Sequence, residues 1–130
     1  MLLGNKQQAA YTNVQVQANA SVSSSFELIC MLHERLEMEL DVLIFAIENK
    51  DYEKKSAAAQ KMIEILTGLD SSLDLANPNE LIVNIHNLYE YSIGVVFSAS
   101  KDLDSEALEK LREPLQSLRE GWEGAMAAVV

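Results

Sequence analysis

The chain has 130 residues, 48% apolar, 23% charged and 6% aromatic, the balance of one ordinary globular domain. Twenty Asp and Glu against ten scattered Lys and Arg leave a formal charge of -10, which excludes the electrostatic footprint of a nucleic-acid or anionic-lipid binder. The single cysteine, Cys30, forms no internal disulfide, the apolar runs are too short to span a bilayer, and residues 1–10 lack the core of a signal peptide, so the sequence reads as cytosolic.

Residues 1–22, rich in Gln, Asn and Ala, read as a mobile N-terminal arm in which Tyr11, Val14, Val16 and Val22 are the substantial hydrophobes after Leu3. Ser24-Ser25-Phe26-Glu27 has the spacing of a capping box, which predicts a helix start at Ser24. Leu28, Leu32, Leu36, Leu40, Leu43 and Ile47 then recur at steps of four and three until Asn49-Lys50-Asp51 interrupts them. That first helix spans about 25 residues, the distance from the cap to the interruption. Asp51 caps a second helix with its stripe at Ala58, Met62, Ile65, Leu69 and Leu73, ending near Asp74.

At Asn77-Pro78-Asn79-Glu80 the asparagine serves as cap and the proline as first helical residue, where its missing amide would go unbonded anyway. The third helix carries Leu81, Ile85, Leu88, Ser92, Val95 and Ala99 on one side, and Asp102 to Asp104 supply its stop and the next cap. Leu108, Leu111, Leu115, Leu118 and Trp122 follow a four-three heptad spacing in the fourth. Pro114 falls inside that run and predicts a kink or break near Leu111. Gly121 and Gly124 weaken its end, and the chain beyond Met126 is expected to fray. No period-two alternation persists, so the fold class is all-α: an antiparallel up-and-down four-helix bundle (residues 23–126) preceded by an extended N-terminal arm (residues 1–22).

The chemistry-bearing residues do not assemble into a reactive site. A bundle-core dimetal site needs Glu three residues before each His, but Cys30 precedes His33 and Val83 precedes His86. Cys30 and His33 have no second pair of soft ligands to complete a zinc site. Burial among Ile29, Met31 and Leu32 raises a thiol's pKa rather than activating it. The sequence therefore calls for no cofactor and no enzymatic activity. Met62 to Ser100 contains no Lys or Arg but holds Glu64, Asp70, Asp74, Glu80 and Glu90, which predicts a negative face on the second and third helices. Tyr89 and Tyr91, two residues apart, cannot both face one core. Exposed aromatics beside apolar surface mark partner sites.

These residues resemble the FliS family of flagellar export chaperones, over about Ala10 to Ala125. The family's N-terminal tyrosine and valine-containing arm is similar to Tyr11-Thr12-Asn13-Val14-Gln15-Val16, and its first helix start is similar to SSSFELICML, with Ser25 where a proline usually stands. Its middle motifs look like Ser72-Leu73-Asp74, Glu80, Asn84-Ile85 and Leu88-Tyr89-Glu90-Tyr91, and its closing helix like LQSLREGWEGA with Trp122 as anchor. The chain departs from the family at His33, Glu34 and Arg35, where an aromatic and Asp-Gly are usual, at Gly94 and Val95, where an arginine pair is common, and at Pro78-Asn79, commonly Gly-Gly.

The resemblance implies a non-enzymatic cytosolic chaperone that binds the disordered C-terminal segment of flagellin, prevents premature polymerisation and supports export. It implies the cytosolic domain of the flagellar export gate as a second partner. The expected binding residues are Leu73, Asn84, Leu88, Tyr89 and Tyr91, with Tyr11, Val14 and Val16 on an arm that covers the groove until cargo displaces it. The alternative is a helical scaffold or oligomeric adaptor, and the free protein is expected to be a monomer or a dimer.

Overall fold

The computed structural model describes residues 14–129, and the regular structure among them is wholly helical: α1 (Val14–Glu48), α2 (Tyr52–Ser71), α3 (Glu80–Asp102), α4 (Ser105–Glu109) and α5 (Arg112–Val129). Neighbouring helices run antiparallel. Asp41, Glu37 and Phe26 of α1 meet Arg112, Arg119 and Trp122 of α5 in reversed order, and Asp70 of α2 pairs with His86 of α3. α1 packs on α2 and α5, and α2 packs on α3, so α4 and α5 together close the fourth corner of the bundle.

Four helix boundaries differ from the sequence expectation: the start of α1, the end of α2, the start of α3 and the end of α5. α1 does not start at Ser24: it is a continuous helix of 35 residues from Val14, about 50 Å long. Residues 14–22, read as extended arm, are therefore helical, and Val14 and Val16 stand in the first turn. Gln15, Gln17, Ala18 and Ala20 are good helix formers, and a serine pair within such a run does not by itself end it. Tyr11 lies outside the described residues. α2 ends at Ser71 rather than near Asp74, because the Asp74 carboxylate is engaged in the loop, accepting from Ala76 N at 3.2 Å and Asn77 Nδ2 at 3.4 Å.

The third boundary is the start of α3, which is capped by Asn79, not Asn77. Its Oδ1 accepts the Ile82 amide at 2.9 Å, so Pro78 precedes the cap instead of opening the helix. The other expected caps stand where the sequence puts them. Asp51 accepts from Lys54 N at 3.2 Å and Asp104 from Ala107 N at 3.1 Å. Lys50 and Leu103 end their helices with φ of 58°, a left-handed conformation that glycine adopts at no steric cost. Asp51 N and Asp104 N then close back to Ala46 O at 2.9 Å and Ala99 O at 2.8 Å.

The last helix breaks as Pro114 predicts. α4 stops at Glu109, Lys110 and Leu111 form a turn, and Pro114 becomes the third residue of α5, where its absent amide interrupts no helical bond. Leu108, Leu111 and Leu115 stay fully buried across the break. α5 continues to Val129, beyond the expected fraying point. Leu36, Leu40, Leu43, Met62, Leu66, Leu69 and Val96 supply the rest of the core centre. Leu28 and Leu81, assigned to core stripes by periodicity, are exposed instead, since each lies near an end of the bundle where the stripe outruns the packed length.

Candidate docking surface

Successive α-helical residues turn by about 100°, so two positions separate Tyr89 from Tyr91 by about 200°. Tyr89 is 0% exposed and Tyr91 is 65% exposed. The buried Tyr89 ties three helices together at one atom: His33 Nε2 of α1 lies 2.8 Å from its Oη, and Trp122 Nε1–H of α5 donates to the same Oη at 3.2 Å. With the indole donating to the phenol, a neutral His33 can accept the phenol O–H at Nε2, the arrangement that gives that hydroxyl an acceptor.

Burial, with Arg119 adding a like charge, lowers the His33 pKa to about 4, and burial raises Tyr89 to about 12. His33 Nδ1 and Ser92 Oγ are buried without a hydrogen-bond partner among the described residues. The other histidine is different. His86 donates from Nδ1 to Asp70 at 2.7 Å on the α2–α3 seam, a bond that raises its pKa.

Because α5 packs chiefly on α1, the side of the bundle between α3 and α5 is left as a furrow. Its first stretch is an apolar groove of about 180 Å³ lined by Leu81, Ile85, Leu118, Gly121, Trp122 and Ala125. Leu81, Asn84, Leu88, Tyr91 and Val95, at steps of three and four, place one face of α3 along it. Asn84 is exposed and Leu88 and Val95 are half-buried. At its other end a wider groove of about 420 Å³ runs past Tyr91, Gly94, Val95 and Ala107, with Glu90 and Asp102 on its rim. The floor is apolar and the rim acidic.

Such a surface accepts an amphipathic segment by burying its apolar face. It offers no activated nucleophile: Cys30 is buried on α1 and burial raises its thiol pKa. Among the described residues no three His, Cys, Asp or Glu side chains gather as metal ligands, and no helix is long and apolar enough to cross a membrane.

Asn84, Leu88 and Tyr91 share the furrow face. Leu73 lies just past the C-terminal end of α2, half-buried against the core. Tyr89 cannot contact a partner directly, being wholly enclosed, and this corrects its reading as a surface binding residue. Leu81 and Trp122 line the furrow although periodicity and heptad spacing place both in the core. Trp122 is only half-buried, with Phe26 at 5.9 Å between ring centroids. The available signal was its place near the end of the heptad run, where a bundle thins.

The model of the family described as flagellar protein FliS matches residues 6–129. The chain is 30% identical over 114 residues to the flagellar secretion chaperone FliS of Salmonella typhimurium, covering 87% of this chain and 84% of that protein. It is 29% identical over 114 residues to the flagellar secretion chaperone FliSB of Pseudomonas aeruginosa, covering 88% of this chain and 90% of that protein. A third similar protein, the flagellar secretion chaperone FliS of Vibrio cholerae serotype O1, is 21% identical over 114 residues, covering 88% and 84%.

Proposed function

The chain belongs to the flagellar protein FliS family, and from that membership we propose that it is a non-enzymatic cytosolic chaperone whose cargo is the C-terminal segment of flagellin. The cargo segment folds into amphipathic helix along the furrow between α3 and α4–α5, with Leu88 and Tyr91 as apolar anchors and Asn84 bonding its backbone. Leu73 borders the site, and Tyr89 supports it from inside by holding Trp122 in place. The single observation that carries this reading is the exposed Tyr91 on an apolar row of α3 that opens onto grooves at both ends.

Sequestering that segment keeps flagellin from assembling early, and the ordering entropy of the segment moderates affinity so that release at export stays accessible. The segment that precedes α1, with Tyr11, covers the furrow until cargo displaces it. The loaded chaperone is then presented to the cytosolic domain of the flagellar export gate.

Calorimetric titration of the full chain with a flagellin C-terminal peptide tests the reading. Tyr91→Ala is expected to weaken binding by about 2 kcal/mol, the size of an interface hot spot, while leaving the helical circular dichroism intact. Unchanged affinity refutes this site. Sedimentation at one size larger than a monomer, with or without the peptide, favours the oligomeric scaffold instead.

A further inference from the structure

The side of α1 turned away from the core carries a second apolar row. Leu28, Met31, Met38, Val42 and Phe45 follow steps of three, seven, four and three, with Arg35 in the gap. Met38 is 62% exposed and Phe45 65%. Helical faces with this spacing are normally covered, and the row is too long to be scattered surface hydrophobes.

On its α2 side the row opens onto two grooves of about 420 and 400 Å³ that share Val42 and Lys54 and so form one channel. Ala57 and Ala58 line it with small side chains that leave room for a close helix approach. Arg35, Lys54 and Lys61 line the same channel. Residues 50–61 hold four lysines against two carboxylates, a net-positive stretch in a chain of charge -10.

The carboxylates that line the channel are already engaged. Asp41 pairs with Arg112 at 2.6 Å, Glu39 with Arg35 at 2.7 Å, and Asp51 caps α2. Lys54 meets no carboxylate within ion-pair distance among the described residues, and Lys61 reaches only Glu64, at 3.6 Å. Lys54 and Lys61 are seven residues apart, about 10 Å along the helix.

We propose that the channel between α1 and α2 docks an amphipathic helix of a partner protein that presents carboxylates two turns apart on its flank. The apolar face of that helix covers Met38, Val42 and Phe45, and its carboxylates meet Lys54 and Lys61. The furrow along α3 has an acidic rim at its α4 end, so the two surfaces select segments of opposite charge and can be occupied together. This inference goes beyond the cargo reading and does not depend on it.

Two labelled probes test it by fluorescence anisotropy on the full chain: a synthetic amphipathic helix with leucines on one face and glutamates seven residues apart on its flank, and the same peptide with lysines for glutamates. The acidic probe is expected to bind at least tenfold more tightly than the basic one. Lys54→Glu with Lys61→Glu should reverse that order, Phe45→Ser should weaken the acidic probe at least tenfold, and Tyr91→Ala should leave it unchanged. Charge reversal is the safer variant for folding, because both lysines are exposed.

Equal binding of both probes overturns the proposal. So does a concentration-dependent dimer that Phe45→Ser abolishes, which assigns the row to a second copy. A tenfold gain in acidic-probe affinity on deleting residues 1–13 assigns it to the chain's own N-terminal segment. Failure here with intact flagellin-peptide binding leaves the cargo site standing, and the converse leaves this surface standing.

Discussion

Replacing His33 by phenylalanine keeps a ring of similar size in the core while removing a wholly buried imidazole. In the folded chain burial holds the imidazole neutral with a pKa of about 4, whereas in the unfolded chain it titrates near 6.5. The unfolded state therefore binds more protons between these values, and stability rises with pH across that window. The His33 contribution is fully present above about pH 6.5 and is lost as pH falls towards about 4, amounting to about 3 kcal/mol in total. Between about pH 7.5 and pH 5 the loss is about 2 kcal/mol.

The structure gives the loss a local cause. A protonated His33 presents N–H to Tyr89 Oη, which already accepts from Trp122, and the phenol O–H is then left without an acceptor. Urea unfolding followed by circular dichroism at the two pH values measures the effect as a difference between native chain and variant. At the higher pH, His33→Phe should be less stable by about 1 kcal/mol, for the hydrogen bond lost. At the lower pH it should be the more stable protein by about 1 kcal/mol. His86 works in the opposite direction, since its raised pKa gives stability that is present below about pH 6.5 and lost as pH rises. It is common to both proteins and cancels in the comparison. A pH dependence differing by less than about 0.5 kcal/mol between them would refute the account of His33 as a buried neutral acceptor.

Ser92→Ala should stabilise the chain by about 1 kcal/mol, because Ser92 Oγ is buried without a partner and alanine is the better helix former. A loss of stability in urea unfolding would show that the hydroxyl is satisfied. Leu103→Gly should add about 1 kcal/mol by relieving the left-handed φ of 58°. Leu103 is exposed and contributes little packing in exchange, so a lower melting temperature would place it in a contact instead.

Apolar periodicity was enough to identify helices and to number the arms of the bundle, because an i, i+3, i+4 pattern has one solution in backbone geometry. Pro114, not periodicity, located the break before α5, since proline clashes with a helical carbonyl whatever surrounds it. The positions of Asp51 and Asp104 as caps were equally legible, each being a local bond between a side chain and an amide three residues on.

The start of α1 was not legible. The Ser24 signal is compatible with a cap or with helix interior, and the residues before it have helix propensity of their own. Nor does a single sequence rank two stripes on one helix. α1 carries one through Leu36, Leu40, Leu43 and Ile47 and another through Met31, Met38, Val42 and Phe45, and only the packing of α2 and α5 decides that the first is enclosed and the second faces outward. The same holds for the tyrosines: spacing required that Tyr89 and Tyr91 part company, but the choice of Tyr89 for the interior depends on His33 and Trp122 arriving from α1 and α5 to satisfy its hydroxyl. A buried phenol is tolerated only where such partners converge, and that convergence links residues 56 and 33 positions apart in sequence.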